Sequence, residues 1–84
     1  MGLPSQPVTL TVQQIDDLNK KLAKLRHDIN NNLSLMMAAA ELVQFKPEMA
    51  AQMANTLTEQ PQKIGAAMGK FSEEFEALLG ITKP

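Results

Sequence analysis

The sequence predicts an all-α protein: an antiparallel two-helix hairpin that dimerises into a four-helix bundle. Three observations predict it. Apolar residues recur at spacings of 3 and 4 over two long stretches, the signature of helices with one apolar stripe. One strong break, Lys46-Pro47, separates the stretches. The chain has only 84 residues and no cysteine, so no disulfide supports a small core. Two long stripes with nothing else to cover them call for a second copy. A monomeric three-helix bundle, with a turn at Pro61, is the competing architecture.

In chain order, residues 1–10 form a flexible lead-in, with Pro4 and Pro7 and no periodicity. The helical region spans 11–80 and leaves 81–84 as a tail. Thr11 is the expected N-cap, and Gln14 three residues later closes a capping box. Asp16 and Asp17 lie near that start. Helix 1 runs from about 12 to 45. Its stripe is Ile15, Leu18, Leu22, Leu25 and Ile29, then Leu33, Met36, Ala40 and Val43. The step from Ile29 to Leu33 follows another step of four, so Leu22 to Leu33 makes an eleven-residue unit, a stutter. Helix 2 runs from about 47 to 79, with a stripe of Met53, Leu57, Ile64, Met68, Phe71, Phe75 and Leu78. Pro61 predicts a kink rather than a break, because the stripe keeps its phase across it. Gly80 is the expected stop.

Composition excludes several function classes. Eight basic and nine acidic residues give a formal net charge of −1, against the basic excess of a nucleic-acid binder. Three Phe and no Trp or Tyr offer few base-stacking platforms. One histidine and no cysteine make a metal site an unfavourable reading. No apolar run reaches the roughly 20 residues that span a bilayer, and no signal peptide is legible. The expected location is the cytoplasm, with no membrane insertion.

The stretch that departs from helix propensity is Leu25-Arg26-His27-Asp28-Ile29-Asn30-Asn31-Asn32-Leu33. It holds the single histidine and three consecutive asparagines, whose side chains compete for backbone hydrogen bonds. Local choices made against propensity are where function concentrates. At about 100° per residue, with Leu25 at zero, Ile29 falls at about 40°, His27 at about 200° and Asn31 at about 240°. Lys20, Ser34 and Ala38 fall within about 20° of that pair's range. His27, Asn31, Ser34, Ala38 and Lys20 therefore share one outward stripe. A neutral imidazole there has a free nitrogen lone pair and can act as a nucleophile. A lone exposed histidine is by itself an ordinary surface residue, so the reading rests on the whole stretch. If the turn centres near Lys46, His27 stands beside Gly65, where Gly65, Ala66, Ala67 and Gly69 make helix 2 thin. Lys20, Lys21 and Lys24 would then lie near Glu73, Glu74 and Glu76. Gly65 and Gly69 would be accepted there for close packing or easy bending.

This stretch, continuing to Ala40-Glu41-Leu42, resembles the H-box of sensor histidine kinases, in the group whose box reads His-Asp-(Phe/Ile/Leu)-Asn-Asn-x-Leu. The likeness is specific over roughly residues 22–43; beyond them only stripe, length and turn agree. The resemblance implies a homodimeric dimerisation and histidine phosphotransfer domain. It implies that His27 accepts a phosphoryl group and exchanges it with an aspartate of a response-regulator receiver domain. It implies that Asp28 hydrogen-bonds the imidazole as general base and that Asn31 orients water for receiver dephosphorylation. Lys20, Lys24, Ser34 and Ala38 would then form the docking surface. Where many members carry a helix-bending Pro, this chain has Asn32.

None of that family's Asn-rich or Gly-rich nucleotide boxes is matched in these residues. Gly65 and Gly69 lie in a helical pattern, not in a phosphate-cradling loop. No cofactor is expected on this chain, and ATP and Mg²⁺ would reach His27 only through a separate histidine kinase ATP-binding domain. The alternative is a helical dimerisation or regulatory module that binds a kinase or receiver without being phosphorylated; an unrelated helical adaptor is a third reading.

Overall fold

The computed structural model describes residues 2–81. It is all-α: helix α1 (Val12–Phe45), a single 3-10 turn (Pro47–Met49) and helix α2 (Ala50–Leu79). Among the described residues there is no strand, only one isolated bridge between Pro4 and Ile81. Among the described residues no helix is long and apolar enough to cross a membrane.

Local chemistry fixes each end. Thr11 has extended backbone, its hydroxyl accepts from the Gln14 N–H at 3.0 Å, and its own N–H donates to Gln14 Oε1 at 2.9 Å. The capping box therefore closes in both directions. Asp16 and Asp17 lie beyond the first turn and pair instead with Lys20 and Lys21, four residues on. At the far end Pro47 holds Lys46 out of the helical region, with φ −134° and ψ 81°. Pro47 opens the 3-10 turn, whose Met49 N–H returns to the Lys46 carbonyl. Gly80 adopts the left-handed conformation, φ 67°. It lets the Ile81 N–H reach the Glu76 carbonyl and the Gly80 N–H reach that of Ala77, a Schellman ending.

Pro61 lies inside α2, which continues through it. It removes the donor that would serve the Leu57 carbonyl. One turn earlier the Thr58 hydroxyl donates to the Ala54 carbonyl at 2.8 Å.

α1 and α2 pack against each other, and Lys21 near the start of one meets Glu74 near the end of the other, at 3.6 Å. The covered residues of α1 include Leu18, Leu22, Leu25, Ile29, Asn32, Met36, Ala39 and Val43. Those of α2 include Met53, Leu57, Gln60, Ile64, Ala67, Phe71, Glu74 and Leu78. Both series alternate 3 and 4 without interruption. The stutter read from the apolar residues alone is therefore corrected: the seam passes through Asn32 and Ala39, and Leu33 and Ala40 face solvent. Two helices stay in contact over many turns only along a 3.5-residue repeat, and an eleven-residue unit would carry the stripe away from the partner. Continuity of contact outweighs the polarity of Asn32. Gln60 enters the α2 seam for the same reason and is 5% exposed.

Burial is thin. Ala39 is the one buried apolar residue among those described, while Met68 is 51% and Met37 64% exposed. Phe71 and Phe75 stack at a tilt, ring centroids 6.0 Å apart.

Candidate functional site

His27 sits in the second quarter of α1, away from both caps, where the helix is regular and its direction is fixed by Leu25 and Ile29 on either side. The imidazole is exposed and makes no hydrogen bond or ion pair among the described residues. Asn31, one turn on, is exposed as well, as are Ser34, Ala38, Lys20 and Lys24. With the seam at Leu25, Ile29 and Asn32, these residues occupy the side of α1 away from α2, apart from Lys24, which flanks it.

Asp28 is placed differently. It is half-buried and turned toward α2, where it lines an open groove of ≈ 270 Å³ with Lys21, Lys24, Leu25, Ala67, Lys70, Phe71 and Glu74. Its Oδ2 accepts from Lys24 Nζ at 2.7 Å. That hydrogen bond holds the carboxyl below the usual carboxylate range, against a smaller opposing effect of desolvation; the charges of Lys24 and His27 add to the lowering. The site thus brings together His27 and Asn31 on one face, while the Asp28 carboxylate rests on Lys24 rather than on the imidazole.

The lysines behave individually. Lys20 pairs with Asp16 at 2.9 Å and Lys24 with Asp28, both within α1. Lys21 alone crosses to α2, bridging Asp17 at 3.1 Å and Glu74 at 3.6 Å. The hydrogen bond to Asp17 is the main reason its ammonium is raised above its ordinary value, partly offset by desolvation. The expected zone of Lys20, Lys21 and Lys24 against Glu73, Glu74 and Glu76 reduces to this one pair. A lysine reaches an acid one turn away at little conformational cost, and helix geometry supplies such an acid to each.

The Lys21–Glu74 pair also resets the register. Counting six residues on from Lys21 and six back from Glu74 sets His27 level with Met68, not Gly65. Gly65 and Gly69 have open space where a Cβ would project, so close packing within this chain does not explain them.

Two features escaped the sequence reading. The Lys24–Asp28 pair was legible as an i,i+4 spacing, but the resemblance assigned Asp28 to the imidazole. Gln60 was hidden because a polar residue in an apolar stripe reads as a gap. No group of three or more His, Cys, Asp or Glu arranged to hold a metal occurs among the described residues.

Compared with known proteins, the chain matches no family model, no curated protein and no solved structure.

Proposed function

We propose that this chain is a histidine phosphotransfer and dimerisation module of two-component signalling, working in the cytoplasm as a homodimer. The observation that carries the proposal is the pairing of an exposed, unengaged His27 with Asn31 one turn along the same outward face, opposite the seam. The H-box resemblance gives that pair its chemistry.

In this reading α1 and α2 form an antiparallel hairpin, and two hairpins form a four-helix bundle. Support comes from what one chain leaves uncovered: Ile15, Leu33 and Met37 on α1 and Met68 on α2 remain exposed. A small helical chain with so little interior gains its core by association.

In the forward reaction an imidazole nitrogen attacks the γ-phosphorus of ATP presented with Mg²⁺ by a separate kinase domain. The N–P bond forms as the bond to ADP breaks, and the ADP oxygen keeps the electron pair. The proton on the other ring nitrogen passes to a carboxylate, the role assigned to Asp28. A receiver aspartate oxygen then attacks phosphorus as the N–P bond breaks, and the proton returns from the carboxylate to the ring so that His27 leaves as neutral imidazole. Asn31, on the same face, orients water for hydrolysis of a phosphorylated receiver. The receiver docks across Lys20, Lys24, Ser34 and Ala38.

The test is to incubate the chain with a kinase ATP-binding domain, Mg²⁺ and ATP labelled at the γ-phosphate, or with a phosphorylated receiver. Acid-labile label on the parent and none on His27→Ala is the expected result. No label on a parent that dimerises and binds the receiver would assign it to non-catalytic regulatory modules. Label surviving in His27→Ala would overturn the site.

A further inference from the structure

We infer that Lys24 is a positioning residue for the His27 site, holding the Asp28 carboxylate on the groove side of α1 and away from the imidazole. The functional consequence rests on the phosphotransfer reading above; the placement rests on the ion pair itself.

His27 and Asp28 are adjacent and therefore diverge by about 100° around the helix axis. Lys24 precedes Asp28 by one turn, and its Nζ is 2.7 Å from Oδ2. The Asp28 carboxylate lies in the groove between the helices, beside Leu25, Ala67 and Phe71. An unpaired charge is disfavoured against such apolar surface, and Lys24 supplies the partner. To act as base, the carboxylate must come within about 2.6–3.2 Å of an imidazole N–H on the outward face. In the placement that bonds Lys24 through Oδ2, Asp28 makes no hydrogen bond to His27, and a short side chain reaches the outward face only by a change of rotamer. Engagement by Lys24 and engagement by His27 are therefore alternatives.

Lys24 is itself largely exposed and lies on the same side of α1 as Lys20. An acidic surface docking there would take up the Lys24 ammonium and release Asp28 toward His27. Docking and the availability of the base are thereby coupled through one side chain. Among the other charges around the site, Lys20 is paired with Asp16 and Lys21 with Asp17 and Glu74, and Lys70 of α2 lines the groove without an ion pair to Asp28. Arg26 is exposed on the other side of His27.

The experiment uses the full chain and follows the ring protons of its single histidine by proton NMR from pH 5 to 9. Asp28 stays ionised throughout, because its carboxyl lies below the ordinary range. Four chains are compared: parent, Lys24→Gln, Asp28→Asn and the double variant. Removing Lys24 raises the His27 titration midpoint in any background, since a nearby positive charge is lost. If Asp28 moves when released, Lys24→Gln raises the midpoint by about 0.3 pH, or twofold in proton affinity, more in the parent than in the Asp28→Asn chain. Fixed charges add, so equal rises in both backgrounds would overturn the inference. Lys24→Arg keeps the pair and should leave the midpoint in place, and a rise there would also count against it. The two proposals separate cleanly: non-additive midpoints in a chain that never takes label keep Lys24 in its role and remove the phosphotransfer function. Additive midpoints in a chain that is labelled at His27 do the reverse.

Discussion

Asn32 and Gln60 are the buried polar side chains of the two helix seams among the described residues, and they stand within one turn of the same level. From the Lys21–Glu74 pair, Asn32 is eleven residues on and Gln60 fourteen residues back, a mismatch of three. A polar residue in a heptad seam fixes register at a cost in stability. Here the cost is visible, because Gln60 Oε1 is buried without a hydrogen-bond partner.

Gln60→Leu should therefore stabilise the fold by about 1–2 kcal/mol, since it removes an unsatisfied acceptor and adds apolar contact. Urea denaturation followed by circular dichroism measures this. A lower midpoint than the parent would mean that the amide is satisfied in the assembled protein.

Thr11→Ala should destabilise by about 1 kcal/mol, because both hydrogen bonds of the capping box depend on the geometry that Thr11 sets. Gln14→Ala loses only the reciprocal bond and should cost less. The comparison is made by thermal melting of the two variants side by side.

The glycines divide by backbone conformation. Gly80 has φ 67°, so Gly80→Ala should cost about 1 kcal/mol. Gly65 and Gly69 are helical with open space at the Cβ position, so each change to Ala should stabilise by up to about 1 kcal/mol. If either destabilises instead, a second chain packs closely over that position.

Most of this framework was legible because it is local. The capping box, the Lys46-Pro47 break and the Gly80 ending each depend on a few adjacent residues with a defined chemistry. The seam was legible from Leu18 to Ile29 and again at Met36 and Val43; Ile15 is exposed, and Leu33 and Ala40 were misread because apolar residues were followed where a constant repeat against α2 decides. The site divided in the same way: the outward placement of His27 and Asn31 follows from helix geometry alone. The partner of Asp28 depends on which of two neighbours, each one side-chain rotation away, wins the carboxylate.

Stability should fall at both extremes of pH for identifiable reasons. The Asp28 carboxyl is lowered from an ordinary 3.8 by Lys24, so its stabilising effect is full above 3.8 and is lost as pH falls through the lower folded value. The Lys21 ammonium is raised from an ordinary 10.5, so its effect is full below 10.5 and is lost as pH rises through the higher folded value. Lys24→Gln should flatten the acid side of the melting-temperature profile, and a double change of Asp17 and Glu74 to their amides the alkaline side. A variant that leaves its own limb as steep as in the parent would contradict the assignment.

The exposed apolar flank makes the last prediction. On α2, Met68 lies on the same side as Ile64 and Phe75, about 80° around the axis from Gln60, whereas Ala66 lies on the far side. If a second copy of the chain covers that flank, a carboxylate at residue 68 would be buried without a partner. Met68→Glu should then weaken dimerisation by about 3 kcal/mol, roughly two decades in dissociation constant. Ala66→Glu, facing away, should leave it unchanged while placing the same residue in the same helix. Sedimentation equilibrium at micromolar concentration reads both, and the parent should run at twice the chain mass. A parent that runs at the mass of one chain would remove the four-helix bundle and leave His27 on a single chain.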